Sequence, residues 1–240
     1  MIRRFHGLYD AFRTGADVPE VADVRKTQPP EIQQRVKEWR STKISSLRFS
    51  DGLVLYSSLA RSPEHSPVKA LYELICACGS LMLTTLAWGH PVRGGIDVGT
   101  GLEIEGDQLY GPAVVKAYEL ESKPHGAEYP RIVVGETLTD YLATNANKVG
   151  DVWVNLDAQL ARGIRELLTQ DADGHTIVDY MGAGFKAKVS YQLSPDLVRQ
   201  ARDFAAAELE RFKREGNKKL IERYQRLVDY FERKADVWSV

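Results

Sequence analysis

Asp51 and Gly52 lie between two apolar runs in "LRFSDGLVLYSS", residues 47–58, with Arg48 three positions before the aspartate. Two chemistries fit that spacing. Asp-Gly between alternating hydrophobic residues is a strong β-hairpin signal, and turn chemistry alone accounts for both residues. The same carboxylate on a hairpin tip could also hold a divalent ion, because a rigid turn fixes it without burying its charge. Other reactive residue types lack a workable pattern. The glycines of "RGGIDVGTG", 93–101, miss the G-x-G-x-x-G spacing of a dinucleotide loop, and no G-x-x-x-x-G-K-S/T follows elsewhere. "DADG", 171–174, opens like a calcium loop but lacks the later oxygen ligands and the closing glutamate. His6, His65, His90, His125 and His175 are scattered, so zinc and hydrolase readings have no residues to rest on. Cys76 and Cys78, two apart in a helical stretch, point to different faces and read as small core residues.

Composition narrows the partners. A net charge of −1 over 240 residues offers no basic surface for nucleic acid. Hydrophobic and charged fractions of 43% and 27% are ordinary for a globular chain. No apolar run approaches the roughly 20 residues that cross a bilayer. "MIRRFHGLYD" has neither a signal core nor a cleavage site. The expectation is a cytoplasmic protein with no nucleic-acid and no membrane partner.

Periodicity gives the elements that must position any site. Phe5, Leu8, Tyr9 and Phe12 predict an amphipathic helix over 2–13, followed by a polar stretch and then a hairpin over about 43–58. Ser66 and Pro67 start a long helix whose apolar face is Leu71, Leu74, Ile75, Cys78, Leu81 and Met82. Residues 90–111 read as strand, glycine-rich corner and strand, and "GPAVVKAYELESK" as a helix. "YPRIVVGETL" is a strand entering a helix, 151–169 holds a further short helical run, and "DADGHTIVDYMG" is a turn before a strand. Ser194-Pro195 opens an αα-hairpin that "EGNKK" interrupts, its second arm carrying Leu220, Ile221, Tyr224, Leu227, Val228 and Phe231 on one face. Interleaved helices and strands with an antiparallel hairpin predict an α+β sandwich on a mixed or antiparallel sheet.

"RFSDGLVLY" (48–56), "PVRGGIDVG" (91–99) and "LYGPAVVKAYELE" (109–121), followed by "YPRIVV" (129–134), together resemble the class III nucleotidyl cyclase domain. Within it, the resemblance is to the bacterial pyrimidine cyclases of antiphage (Pycsar-type) signalling. The likeness spans about 43–145, and looser similarity continues in "DGHTIVDYMG" and the final tyrosine-containing helix. It implies a βαββαβ cyclase-like sandwich over 1–190 and a C-terminal helical hairpin over 191–240. It also implies a homodimer with sites between subunits, and two aspartates holding two divalent ions, Mn²⁺ or Mg²⁺. Such ions activate the ribose 3′-hydroxyl and neutralise the triphosphate.

Carried onto this chain, the resemblance gives Asp51 the place of the second metal aspartate. The first belongs in an upstream strand of the type F-x-D-I-x-G-F. Asp10, Asp17 and Asp23 are upstream but none sits in such a strand, so that ligand precedes Met1 or has been lost. The asparagine and arginine of the transition-state helix map onto Val115 and Glu119, neither suited to a pentavalent phosphate, which leaves Lys116 as the nearest cation, or else a solvated surface lysine. Leu47 occupies the base-reading position and cannot hydrogen-bond a purine. Arg93, whose fork can donate to two carbonyl oxygens, is the candidate contact for a smaller base, or else a strand-end surface arginine. Arg48 completes the substrate-binding candidates. The implied reaction converts UTP, in preference to CTP, into its 3′,5′-cyclic monophosphate and pyrophosphate. Its product would be a second messenger in antiphage defence, reaching a cyclic-nucleotide-gated effector only by diffusion. The alternatives are a catalytically silent cyclase-like binding or regulatory module, and a purine nucleotide cyclase.

Overall fold

Alternation on either side of Ser50-Asp51-Gly52 produces a hairpin. Strands β1 (Ser45–Phe49) and β2 (Gly52–Tyr56) pair antiparallel, Leu47 opposite Val54 and Phe49 opposite Gly52. They form a two-stranded sheet of their own. The computed structural model describes residues 44–49, 52–60, 66–104, 108–122, 128–190 and 193–240. Asp51, the helix expected over 2–13, and Asp10, Asp17 and Asp23 lie outside the described residues, as does the side chain of Arg48.

The chain divides into two compact units, Met1–Ala77 with Ala143–Ile164, and Cys78–Leu142 with Arg165–Val240. In the first, helix α1 (Pro67–Ala87) begins at the expected cap. The Lys69 amide donates to Ser66 Oγ at 3.2 Å, and the Ser66 hydroxyl donates to Asp157 Oδ1 at 2.8 Å. One serine therefore satisfies an orphan helix amide and ties the helix start to a second element. With 21 residues, α1 is long and apolar enough to cross a membrane, where the sequence reading found no such run. Its most apolar window is 78% buried inside the molecule, as in the central helix of a globular core. Cys76 and Cys78 on α1 form no disulfide, and burial pushes Cys78 up to about 12.

The second unit is built on a four-stranded mixed sheet. Its strands are β3 (Gly94–Ile96), β6 (Ile132–Val134), β7 (Leu168–Gln170) and β8 (Thr176–Val178), in the order β3-β6-β8-β7. β3 and β6 run parallel and the other pairs antiparallel. The protein is a mixed α+β fold. Between β3 and helix α2 (Pro112–Ser122), β4 (Leu102–Ile104) and β5 (Gln108–Tyr110) form an antiparallel ribbon where the sequence predicts one strand. Helix α3 (Glu136–Ala146) follows β6, and α4 (Val152–Arg165) precedes β7. Helix α5 (Ala183–Val189) was not legible either; its Phe185 lies against Gly79, where an added Cβ would be 2.4 Å from the ring.

The C-terminal αα-hairpin matches its sequence signals. Ser194 Oγ accepts from the Leu197 amide at the start of α6 (Pro195–Glu215). "EGNKK" is a stop followed at once by a start: Gly216 takes φ 68°, the left-handed C-cap geometry that favours glycine, and Asn217 caps α7 (Lys218–Arg233). The second arm is tied to the loop after β8. The Tyr230 hydroxyl donates to Asp179 Oδ1 at 2.8 Å and accepts from the Met181 amide at 3.0 Å, while Lys234 Nζ is 2.7 Å from Asp179 Oδ2.

An ion cluster is centred on Arg131, just before β6. Arg131 is fully buried, with Nη1 2.5 Å from Asp171 Oδ2 and Nη2 2.6 Å from Asp173 Oδ2. The Tyr129 hydroxyl also donates to Asp171. The aspartates of "DADG" are thus committed to an arginine, not to a cation from solution. Burial disfavours charge on Asp173, but the hydrogen bonds and charge of Arg131 outweigh it and hold the carboxyl below its ordinary value. A carboxyl depressed by folding contributes stability that is complete above its unfolded-state pKa of about 3.9 and lost as pH falls through the lower folded value. Unfolding free energy measured against pH should fall in that acid window, and Asp173→Asn should flatten the fall. Identical acid limbs for the two proteins would contradict the assignment.

Candidate functional site

Helix α2 lies on β3 unusually closely, and glycine is the reason. An added Cβ on Gly95 would sit 2.2 Å from the Ala117 carbonyl oxygen and 2.7 Å from Leu120 Cβ. One on Gly99 would sit 3.2 Å from the Ala113 amide nitrogen. Moving down the strand from 99 to 95 moves up the helix from 113 to 117, so strand and helix run antiparallel. The glycines of "RGGIDVG" are seats for a helix rather than a phosphate cradle. Gly95→Ala should therefore destabilise by about 1–3 kcal/mol, since a backbone oxygen must move. Gly94→Ala, with nothing nearer than 3.4 Å, is the control. Equal denaturation midpoints for the two variants would count against this packing.

Continuing the same line, Arg93 meets Glu121, one helical turn beyond Ala117: Nη2 is 2.6 Å from Oε1. The two side chains are 39% and 28% exposed, so this pair stabilises the fold little and matters for where it holds the guanidinium. Lys116, on another face of α2, donates to Thr137 Oγ1 at 2.8 Å in the first turn of α3. That helix start already holds an anion. Asp97 Oδ1 accepts from the Leu138 amide at 2.8 Å and from its neighbour Val98 at 2.9 Å. Its carboxylate lies over Gly135, where an added Cβ would be 2.3 Å from Asp97 Cγ. A native carboxylate thus serves the helix dipole and amides that would otherwise attract a phosphate.

Of the expected site residues, Arg93 and Lys116 belong to the second unit, Arg93 paired to the end of α2 and Lys116 carried on it, and they are engaged with different partners. Leu47 and Arg48 belong to β1 of the first, and Leu47 is buried. Among the described residues no three His, Cys, Asp or Glu side chains converge to hold a metal ion. Asp97 is committed to a helix cap, Asp171 and Asp173 to Arg131, and Asp179 to Tyr230 and Lys234. Sequence reasoning missed Glu121 and Asp97 as partners. The signal for Glu121 was its i+4 spacing from Ala117, visible only once Gly95 is known to seat the helix.

No family model, curated protein or solved structure matches this chain.

The flank of this region is apolar. Leu102 and Tyr110 face each other across the ribbon, 61% and 55% exposed, and α2 adds Val115 and Tyr118 at 54% and 67%.

Proposed function

We propose that this protein is a nucleotidyl cyclase of class III type, acting as a homodimer that converts UTP, in preference to CTP, into the 3′,5′-cyclic monophosphate and pyrophosphate. The finer fold proposed is the βαββαβ sandwich of that class, and the biological role proposed is synthesis of a second messenger in antiphage defence. One observation carries the reading. The two stretches most similar to cyclases outside the hairpin, 91–99 and 109–121, pack on each other residue by residue through Gly95 and Gly99. Segments that resemble one family in sequence are thus also packed together in space, and they carry two cations, Arg93 and Lys116.

Phosphoryl transfer asks a protein chiefly for positioning and electrostatic stabilisation. In the proposed roles Arg93 donates to a base carbonyl and Lys116 leaves Thr137 to meet the triphosphate, while Leu47 and Arg48 on the hairpin are further substrate-binding candidates. Asp51 is the proposed ligand for Mn²⁺ or Mg²⁺. The ion supplies charge neutralisation at the phosphates. Incubating the full natural chain with each of the four nucleoside triphosphates and Mn²⁺ tests the reading: cyclic UMP should form fastest. Preference for a purine would overturn the base assignment, and cyclisation of none would overturn the activity.

The homodimer draws support from the exposed Leu102, Tyr110, Val115 and Tyr118. A stable two-fold interface there would bury more than roughly 1,000 Å². Light scattering at micromolar concentration should give twice the 26.9 kDa chain mass, and Tyr118→Glu should shift it toward the monomer. A 26.9 kDa particle alone would contradict the dimer.

A second reading, a silent cyclase-like binding module, is favoured by the engagement of both cations within the chain, Arg93 by Glu121 and Lys116 by Thr137. It predicts saturable nucleotide binding without pyrophosphate release.

A further inference from the structure

Resting on the cyclase reading, we propose that Glu121 is a positioning residue: it grips one edge of the Arg93 guanidinium so that the other edge faces a base bearing carbonyl acceptors. The register of α2 on β3 puts it there. Gly99 lies against Ala113 and Gly95 against Ala117, and the next turn of the helix brings Glu121 to Arg93, Nη2 2.6 Å from Oε1. Arg93 immediately precedes β3, so its backbone is fixed by the strand while its long side chain, 39% exposed, is not. A guanidinium is planar, and fixing one nitrogen against a carboxylate fixes the plane of its remaining donors. Among the described residues Arg93 has no ion-pair partner besides Glu121. The donors on its other nitrogens are therefore directed by Glu121 without being consumed by it.

The ligand chemistry follows. One N–H held in plane can donate to the O4 carbonyl of uracil, where cytosine presents an amino donor; the O2 carbonyl common to both bases does not discriminate. Held in plane, the fork discriminates between them; released, it would follow whichever acceptor came near. Glu121 would then control base choice without touching substrate.

The test measures kcat and KM for UTP and CTP in the full natural chain, for wild type, Arg93→Ala, Glu121→Ala and Glu121→Gln. Glu121→Ala should raise KM for UTP roughly tenfold, the scale of a charge-assisted hydrogen bond, and bring the UTP/CTP ratio toward that of Arg93→Ala. Its kcat should change little. Glu121→Gln keeps an acceptor oxygen and should fall between. Should Glu121→Ala prove too unstable to assay, the Gln variant carries the test, because a residue with only a structural role would lower stability and kcat without moving the base ratio. If Arg93→Ala loses base preference while both Glu121 variants keep it, the positioning role is wrong and the cyclase reading stands. If wild type cyclises no triphosphate, both fall together.

Discussion

Arg131→Met should destabilise the second unit by about 3–5 kcal/mol, the cost of leaving the nearly buried Asp171 carboxylate without its closest cation. The arginine is fully buried, and Asp171, its nearer partner, is only 5% exposed on its side chain. Methionine fills much of the same volume, so the loss measures charge and hydrogen bonding more than a cavity. Tyr129 deepens the dependence. Burial and its bond to Asp171 push the hydroxyl well above its ordinary range, so it stays a neutral donor to Asp171 and supplies no positive charge in place of the arginine. Adding Asp171→Asn to Arg131→Met should recover part of the stability, because the uncompensated charge is removed. Thermal unfolding should show a fall on the order of 10 °C for the single variant. A melting temperature equal to wild type would mean the cluster is not what holds the "DADG" turn.

That cluster also marks where sequence reasoning ended. Short-range rules were legible: Ser66-Pro67 and Ser194-Pro195 start helices where expected, and Gly216-Asn217 breaks the C-terminal hairpin, because caps and left-handed turns depend on residues within one helical turn. The hairpin at 45–56 was legible from alternation. The β4–β5 ribbon was not, since three-residue strands carry too little of a period-2 pattern. Arg131 gave no signal, because its partners lie about 40 residues away and meet it only when β6 pairs with β8. "RGGIDVG" was visible as unusual, but a glycine needed for helix packing and one needed for phosphate look alike until the helix is placed. Arg93 and Lys116 were read by resemblance; Lys116 lies on α2 and Arg93 pairs with its Glu121. Glu121 needed the structure.

The second large effect concerns Asp51. As a turn residue alone, Asp51→Asn should be nearly silent, since asparagine serves as well before glycine in a primed turn. As the proposed metal ligand, the same change removes the negative charge that holds Mn²⁺ or Mg²⁺. Cyclase activity should then fall by roughly two to three orders of magnitude, about 3–4 kcal/mol of transition-state stabilisation. The melting temperature in metal-free buffer should barely move. Full activity in the variant would return Asp51 to turn chemistry.

All of this depends on whether the chain closes a phosphodiester ring. The direct measurement is mass spectrometry of the products formed from UTP by the full natural chain with Mn²⁺, with pyrophosphate quantified in the same reaction. The cyclase account predicts 3′,5′-cyclic UMP and pyrophosphate in equal amounts, at a rate proportional to enzyme and abolished by Asp51→Asn. UTP recovered unchanged, or hydrolysed to UDP and phosphate, would contradict it.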